Sequence, residues 1–466
     1  MSARPGTDPT PDARPALGGH QDLFYANGNT QRLPHIVRGE GIYLFDSAGT
    51  PYIDVASGAV VNNLGQGNER VLAAMAEQGR KLTFSYVRVS RHEPNRMVAD
   101  RVASLAGPGY ERVHLSSGGS EANEMALKFL RQYAYATGQR ERTRVISCVP
   151  SYHGATLLTM AITGEPEYET VYDGMITFSE KIPAPLAYRT PDGISAEENA
   201  RRTVDALEET ILRLGPEKVL AFVIEPVGGV STGANVPAGR FFADVREVCD
   251  RYGVYLVFDE VMTACRTGTF LAAHQWPEAR PDIVVLAKGL GAGYTPLGAM
   301  LAPARMVDEL AGLTGFNLSH TYNANPIACA GAVAVLDELV ERDLLGNARR
   351  MGDHLRNRLE ELGKNSPLVG DVRGLGLLQA VEIVADKETK ATLPREVRAP
   401  DRIRELGLRH GLMLYARQQN GGRYGEWFMV APPLVITEEE VDTMVDRIGR
   451  TLDDFTDELT RDGLLG

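Results

Sequence analysis

The sequence predicts an α/β protein with a central, mostly parallel sheet flanked by helices, plus a small α+β lobe drawn from both chain ends. Three observations carry that expectation. Five short apolar runs recur through the middle of the chain, each followed by a turn and an amphipathic stretch. The runs are continuous in hydrophobicity, as strands buried on both faces are, and their alternation with helices implies crossover connections. Past about residue 327 the pattern becomes long helix (ACAGAVAVLDELVER), and the chain closes on a mixed segment.

Residues 36–55, IVRGEGIYLFDSAGTPYIDV, place two β-rich runs around Ser47-Ala48-Gly49 and read as a hairpin. From about 69 to 106 the apolar spacing is helical. The sheet runs are Val113 to Leu115, Arg144 to Cys148, Val219 to Ile224, Val254 to Phe258 and Ile283 to Leu286. Near the end, Thr437 is expected to cap the last helix, with Glu440 as its capping-box partner. The expected division is a disordered leader at 1–20, an N-terminal segment at 21–70 joining the small lobe, a large domain at 71–330, and a small C-terminal domain at 331–466.

The chain has 466 residues, more than one simple core accommodates, and 43% are hydrophobic, as in a globular protein. A net charge of -12 disfavours nucleic acid and anionic membrane surfaces. No apolar run is long enough to span a bilayer, and the first twenty residues lack the apolar core of a secretory signal. Cys148, Cys249, Cys265 and Cys329 are scattered without a CxxC pair, so neither a metal site nor a disulfide framework is expected, and a cytoplasmic setting is.

Ligands of open α/β sheets bind beyond the carboxyl ends of the strands. Here VLAFVI ends in Glu225-Pro226, VYLVF in Asp259-Glu260, and IVVLA in Lys288-Gly289. A lysine at the end of a buried strand is costly without a partner or a chemical task. Two acids and a lysine also make an ordinary ion network. The stretch VHLSSGGSEANEMALKFL tips the balance. A strand runs into Ser116-Ser117-Gly118-Gly119-Ser120 and then directly into a helix, whose free amides suit an anion. It is neither a Walker loop nor a G-x-G-x-x-G turn. Pyridoxal 5'-phosphate (PLP) needs these three things together: a lysine, a phosphate cradle and an acid for its pyridinium nitrogen.

The motifs SGGSEAN (117–123), SYHGAT (151–156), IEPVGG (224–229), LVFDEV (256–261), DIVVLAKGLGAGYTPLGA (282–299), HTYNANPIACA (320–330) and APPLVIT (431–437) resemble those of class III (ω-type) aminotransferases, within the fold-type I PLP-dependent transferases. The resemblance runs from about residue 30 to the last helix. It implies that Lys288 carries the cofactor as a Schiff base and moves the proton, that Asp259 meets the pyridinium nitrogen, and that Gly119 and Ser120 hold the phosphate. It further implies that Tyr152 stacks on the ring, beside His153, with Val261 on the other face. Glu225 would hold the cofactor's surroundings. Thr321 would reach the phosphate of a partner subunit, which implies a homodimer with shared active sites. Glu260 and Arg266 are expected to be structural.

The resemblance implies a primary amine or ω-amino acid donor and an oxo-acid acceptor. Met262 stands where the branch acting on 4-aminobutyrate and ornithine often has a glutamine. The run Val227-Gly228-Gly229-Val230-Ser231 lacks the acid that pairs with the carboxylate-binding arginine in that branch. Both departures favour pyruvate as acceptor. Arg417 and Arg423 are the candidate carboxylate binders, Arg417 ahead, with Tyr25, Tyr86 and Val230 as pocket walls. Other readings share Lys288 and Asp259: an aminomutase, a racemase, a decarboxylating transaminase, or a non-catalytic PLP-fold protein.

Overall fold

The computed structural model describes residues 33–465 except 173, 176, 177 and 192. The leader expected at 1–20 and the pocket wall expected at Tyr25 lie outside the described residues. Strands β1 (Ile36–Glu40), β2 (Tyr43–Asp46) and β3 (Pro51–Asp54) form an antiparallel meander. The hairpin turn lies where expected. Asp46 accepts from the Ala48 backbone N–H at 2.9 Å, and Gly49 adopts a left-handed φ of 84°.

The helical stretch at 69–106 is two helices, Glu69–Lys81 and Glu93–Ala106. Pro94 falls in the first turn of the second, where its missing N–H costs nothing. The side chains of Asn68 and His92 accept from the first-turn amides and start the two helices.

The main sheet comprises β4 (Arg112–Ser116), β5 (Arg144–Val149), β6 (Ser179–Pro183), β7 (Val219–Ile224), β8 (Tyr255–Asp259), β9 (Ile283–Leu286) and β10 (Gly298–Ala302), in the order β4-β10-β9-β8-β7-β5-β6. The five sheet runs read from the sequence are all strands of it. Two further strands, β6 and β10, were not expected. In β6 only Ile182 is buried, so its pattern is that of a polar edge. β10 follows a turn with no crossover helix before it, and it is antiparallel to both β4 and β9.

The remaining strands are β11 (Val369–Leu375), β12 (Leu378–Ile383), β13 (Leu412–Met413), β14 (Tyr415–Gln418) and β15 (Glu426–Val430). β13 pairs parallel with β3, so the small lobe does unite both chain ends. The other four make an antiparallel sheet, β11-β12-β15-β14. Ala431 donates to the Val55 carbonyl at 2.8 Å, and the buried Arg266 donates to the Ala431 and Pro432 carbonyls at 3.0 Å each, which ties the lobe to the main sheet. Arg266 is thus a structural arginine. Burial depresses its pKa to about 10.

Thr437 and Glu440 form the expected capping box on Glu438–Arg461. The divisions at 70/71 and 330/331 fall inside the helices Glu69–Lys81 and Pro326–Glu341. Both helices pack on each other and are continuous, so the chain does not break at either point. No helix among the described residues is long and apolar enough to cross a membrane.

β10 presses on the glycine turn that follows β4. A Cβ at Gly298 would lie 2.5 Å from the Gly118 carbonyl oxygen and 2.7 Å from Ser116 Oγ. Gly298→Ala should therefore destabilise by about 1–3 kcal/mol, as overpacking does. Gly312→Ala, on a helix with nothing within 4 Å of the new carbon, should be neutral or slightly stabilising. Thermal midpoints of the two variants measured side by side check this.

Candidate active site

β7, β8 and β9 are parallel neighbours, so their carboxyl ends open on one side. There Glu225, Asp259 and Lys288 line one cavity of about 320 Å³. Ser117, Gly118, Gly119 and Ser120 line it from the turn after β4, and Tyr152, His153 and Gly154 from the loop after β5. Val230, Val261, Met262 and Leu297 supply apolar wall.

Asp259 is the most firmly held group. It is 4% exposed. Its Oδ2 accepts from Asn123 Nδ2 and from His153 Nδ1, each at 2.8 Å, and its Oδ1 accepts from the Val261 N–H at 3.0 Å. His153 is buried beside it, and its Nε2 has no hydrogen-bond partner among the described residues. Asn123, on the helix Gly119–Ala136, was missed from the sequence. It lies one turn from Ser120 on the inward face, which is the signal that finds it.

Lys288 faces the cavity with a left-handed φ of 36°, an uncommon backbone for a residue with a side chain. Burial lowers its pKa to about 8, against the opposing pull of the Asp259 and Glu225 carboxylates. Burial likewise raises Glu225 to about 7, and the nearby Asp259 adds to the rise. Glu225 Oε2 accepts from the Tyr152 N–H at 3.2 Å and Oε1 from the Gly229 N–H at 2.9 Å, so it also fixes the loop that carries Tyr152. Glu260 points away from the cavity and holds the turn at Ala272 and Ala273 through their amides.

The glycine turn leaves room. A Cβ at Gly118 would meet nothing within 4 Å, while one at Gly119 would touch Val261 at 3.0 Å. Ser120 Oγ accepts from the Ala155 N–H at 3.1 Å, joining the turn to the Tyr152 loop.

Arg417, on β14, donates through Nη2 to both Glu165 oxygens at 2.6 Å, and Ser231 Oγ donates to Glu165 Oε1 at 2.5 Å. Glu165 was not found from the sequence. It supplies, from another segment, the acid that the run 227–231 lacks. The charges of both Glu165 and Arg417 act on Tyr152. Arg423 is elsewhere: it is exposed and lines a separate cavity with Arg189 and Lys390. It sits in the loop beyond β14, which turns it away from Lys288. Thr321 is exposed, and Tyr86 is half-buried in the loop between the first two helices; neither lines this chain's own cavity.

A buried amine with a lowered pKa, a fixed carboxylate and an open glycine turn in one cavity fit PLP, and they define the site of a PLP enzyme. The family model for aminotransferase class III matches residues 24–452. The chain is 31% identical to a diaminobutyrate–2-oxoglutarate transaminase of Halomonas elongata, over 96% of this chain and 99% of that protein. It is 30% identical to a putrescine–pyruvate aminotransferase of Pseudomonas aeruginosa, over 90% of each. A solved ω-transaminase from Pseudomonas jessenii, in complex with PMP, is 30% identical with a TM-score of 0.86, over 98% of this chain and 97% of that one. The chain belongs to the class III aminotransferases and is a PLP-dependent enzyme.

If burial sets the Lys288 amine near pH 8, PLP uptake by the apoenzyme should accelerate as pH rises through about 8, when the amine loses its proton. Stopped-flow absorbance of PLP uptake between pH 6.5 and 9.5 checks this; a midpoint near 10 would mean the burial has no such effect.

Proposed function

We propose that this enzyme moves an amino group from a primary amine or ω-amino acid to an oxo acid, with pyruvate as the acceptor. The observation that carries the reading is the single cavity in which Lys288 meets Asp259, with the Glu165–Arg417 pair beside it. When bound, PLP supplies an electron sink for the carbon that carries the amine.

The rest is the work of the chain. Lys288 Nζ holds the cofactor and then moves the proton at that carbon; its lowered pKa suits it to both tasks. Asp259 would pair with the ring nitrogen and keep it protonated, and Asn123 and His153 hold the carboxylate in place. Gly119 and Ser120 bind the phosphate at the helix start. Tyr152 and Val261, both in the cavity wall, would flank the ring. Arg417 leaves Glu165 to receive the acceptor's carboxylate, which a guanidinium fork suits.

Thr321 is assigned to a second copy's phosphate. It adjoins an exposed apolar surface: Tyr322 is 65% exposed and pairs edge-on with the exposed Phe84 at 6.0 Å, and Leu82 and Val89 are exposed in the same loop as Phe84. Such a surface suits burial against a second copy, as in a homodimer with shared sites. Tyr86, in that loop, is then assigned to the substrate pocket of the assembled site.

The preference for pyruvate follows from Met262, a poor hydrogen-bond partner, and from the likeness to the putrescine–pyruvate enzyme. The likeness to the diaminobutyrate–2-oxoglutarate enzyme makes 2-oxoglutarate the competitor. A panel of amine donors run with each acceptor, followed by cofactor absorbance, decides. Pyruvate should support turnover at least tenfold better. Turnover without any added oxo acid would point to an aminomutase or racemase.

Asp259→Asn should keep the fold and lower kcat by roughly ten- to a hundredfold, the range a charged hydrogen bond of about 1.5–3 kcal/mol sets. A near wild-type kcat would remove Asp259 from the ring. Thr321→Ala should weaken PLP retention by about ten- to a hundredfold on the same scale, read by equilibrium dialysis.

A further inference from the structure

We propose that Asn323, held by His114, is a positioning residue for the cofactor: it fixes the turn that presents Thr321 to the second copy's phosphate. The inference rests on the reading of Thr321 given above.

Thr321 and Tyr322 are the two middle residues of a turn closed by the Asn323 N–H, which donates to the His320 carbonyl at 3.2 Å. The tip is exposed and the base is not: Tyr322 is 65% exposed and Asn323 only 3%. A hydroxyl at an exposed tip is aimed only as well as the base beneath it is held.

The chain is fixed on both sides of this turn. Before it, Phe316 packs edge-on against His114 at 5.7 Å and Phe129 at 5.5 Å. After it, His92 Nε2 lies 2.8 Å from the Ala324 carbonyl oxygen, and Asn325 Oδ1 accepts from the Ile327 and Ala328 N–H groups at the helix start. Within the turn, Asn323 Nδ2 donates to His114 Nε2 at 3.1 Å. Asn323 Oδ1 has no hydrogen-bond partner among the described residues, so the His114 bond is what orients the amide. That bond needs an unprotonated Nε2. Burial, helped by the nearby His320, lowers the His114 pKa to about 4, so the ring is neutral and accepts.

The anchor stands where the cofactor would feel it. His114 is on β4, the strand that runs into the glycine turn. At the other corner of the Thr321 turn, His320 Nδ1 lies 3.9 Å from Glu121 Oε1, a looser contact, and Glu121 Oε2 accepts from the Ser117 N–H at 2.8 Å. Both corners therefore rest on the strand and helix that carry this chain's own phosphate cradle. A hydrogen bond weakens steeply as its geometry departs from the optimum, so a turn released from His114 would lend its hydroxyl poorly.

The test measures PLP retention by equilibrium dialysis of the full-length enzyme and its variants. Asn323→Ala should weaken retention by about three- to tenfold, the range one neutral hydrogen bond sets. His114→Phe keeps a ring against Phe316 but has no acceptor, and it should weaken retention at least as much. His114→Gln, whose amide oxygen restores an acceptor, should recover most of the loss. The deciding comparison is made in a Thr321→Ala background: with the hydroxyl already gone, Asn323→Ala should add nothing. Additive losses would mean that Asn323 supports the fold at large, and would overturn the inference. The same cycle run with His114→Phe gives a second reading should the Asn323 variant fail to fold. Unchanged retention in both variants, with Thr321→Ala still weakened, overturns this inference and leaves the reading of Thr321 standing. Wild-type retention by Thr321→Ala itself sinks that reading, and this inference with it.

Discussion

The site depends on one buried carboxylate. Asp259 ends a strand in the middle of the sheet, and three donors from three segments converge on it: Asn123 from the helix after the glycine turn, His153 from the loop after β5, and its own neighbour Val261. Without them a charge at 4% exposure would be strongly disfavoured. With them the carboxylate is fixed in one direction, and the same contacts draw together the glycine turn, the Tyr152 loop and the end of β8. Lys288 shares the cavity under the opposite constraint: its amine has no comparable set of partners, so burial pushes it toward its neutral form.

These choices cost stability and do so with opposite pH dependence. The folded-state pKa of Lys288, about 8, lies below its ordinary value of 10.5, so folding is disfavoured below pH 8 and the penalty fades as pH rises to 10.5. Glu225 is raised to about 7 from 4.5, so its penalty is absent below pH 4.5 and grows as pH rises to 7. The two penalties are both large near neutral pH, where a reactive amine is also needed. The structural arginine Arg266 and the shared sheet of the small lobe supply stability elsewhere.

Much of this was legible in the sequence because catalytic placement followed apolar runs. Glu225, Asp259 and Lys288 each close a run that reads as a buried strand, and parallel pairing puts their ends together. Asn123 was within reach too, as a polar residue one turn beyond Ser120. Glu165 was not, because its partner Arg417 is 252 residues away and nothing local marks either as half of a pair. Arg423 stood only just behind Arg417 as a candidate, and the loop beyond β14 turns it toward another cavity. β10 was hidden because no amphipathic stretch separates it from β9 and it runs against both neighbours, although it braces the glycine turn.

The central claim is that Lys288, and no other lysine, carries the cofactor opposite Asp259. Borohydride reduction of the PLP-loaded enzyme, followed by peptide mapping, reads this directly. The account predicts one reduced pyridoxyl adduct, on the peptide that contains Lys288. An adduct on any other lysine, or a cofactor that washes away after reduction, would contradict it.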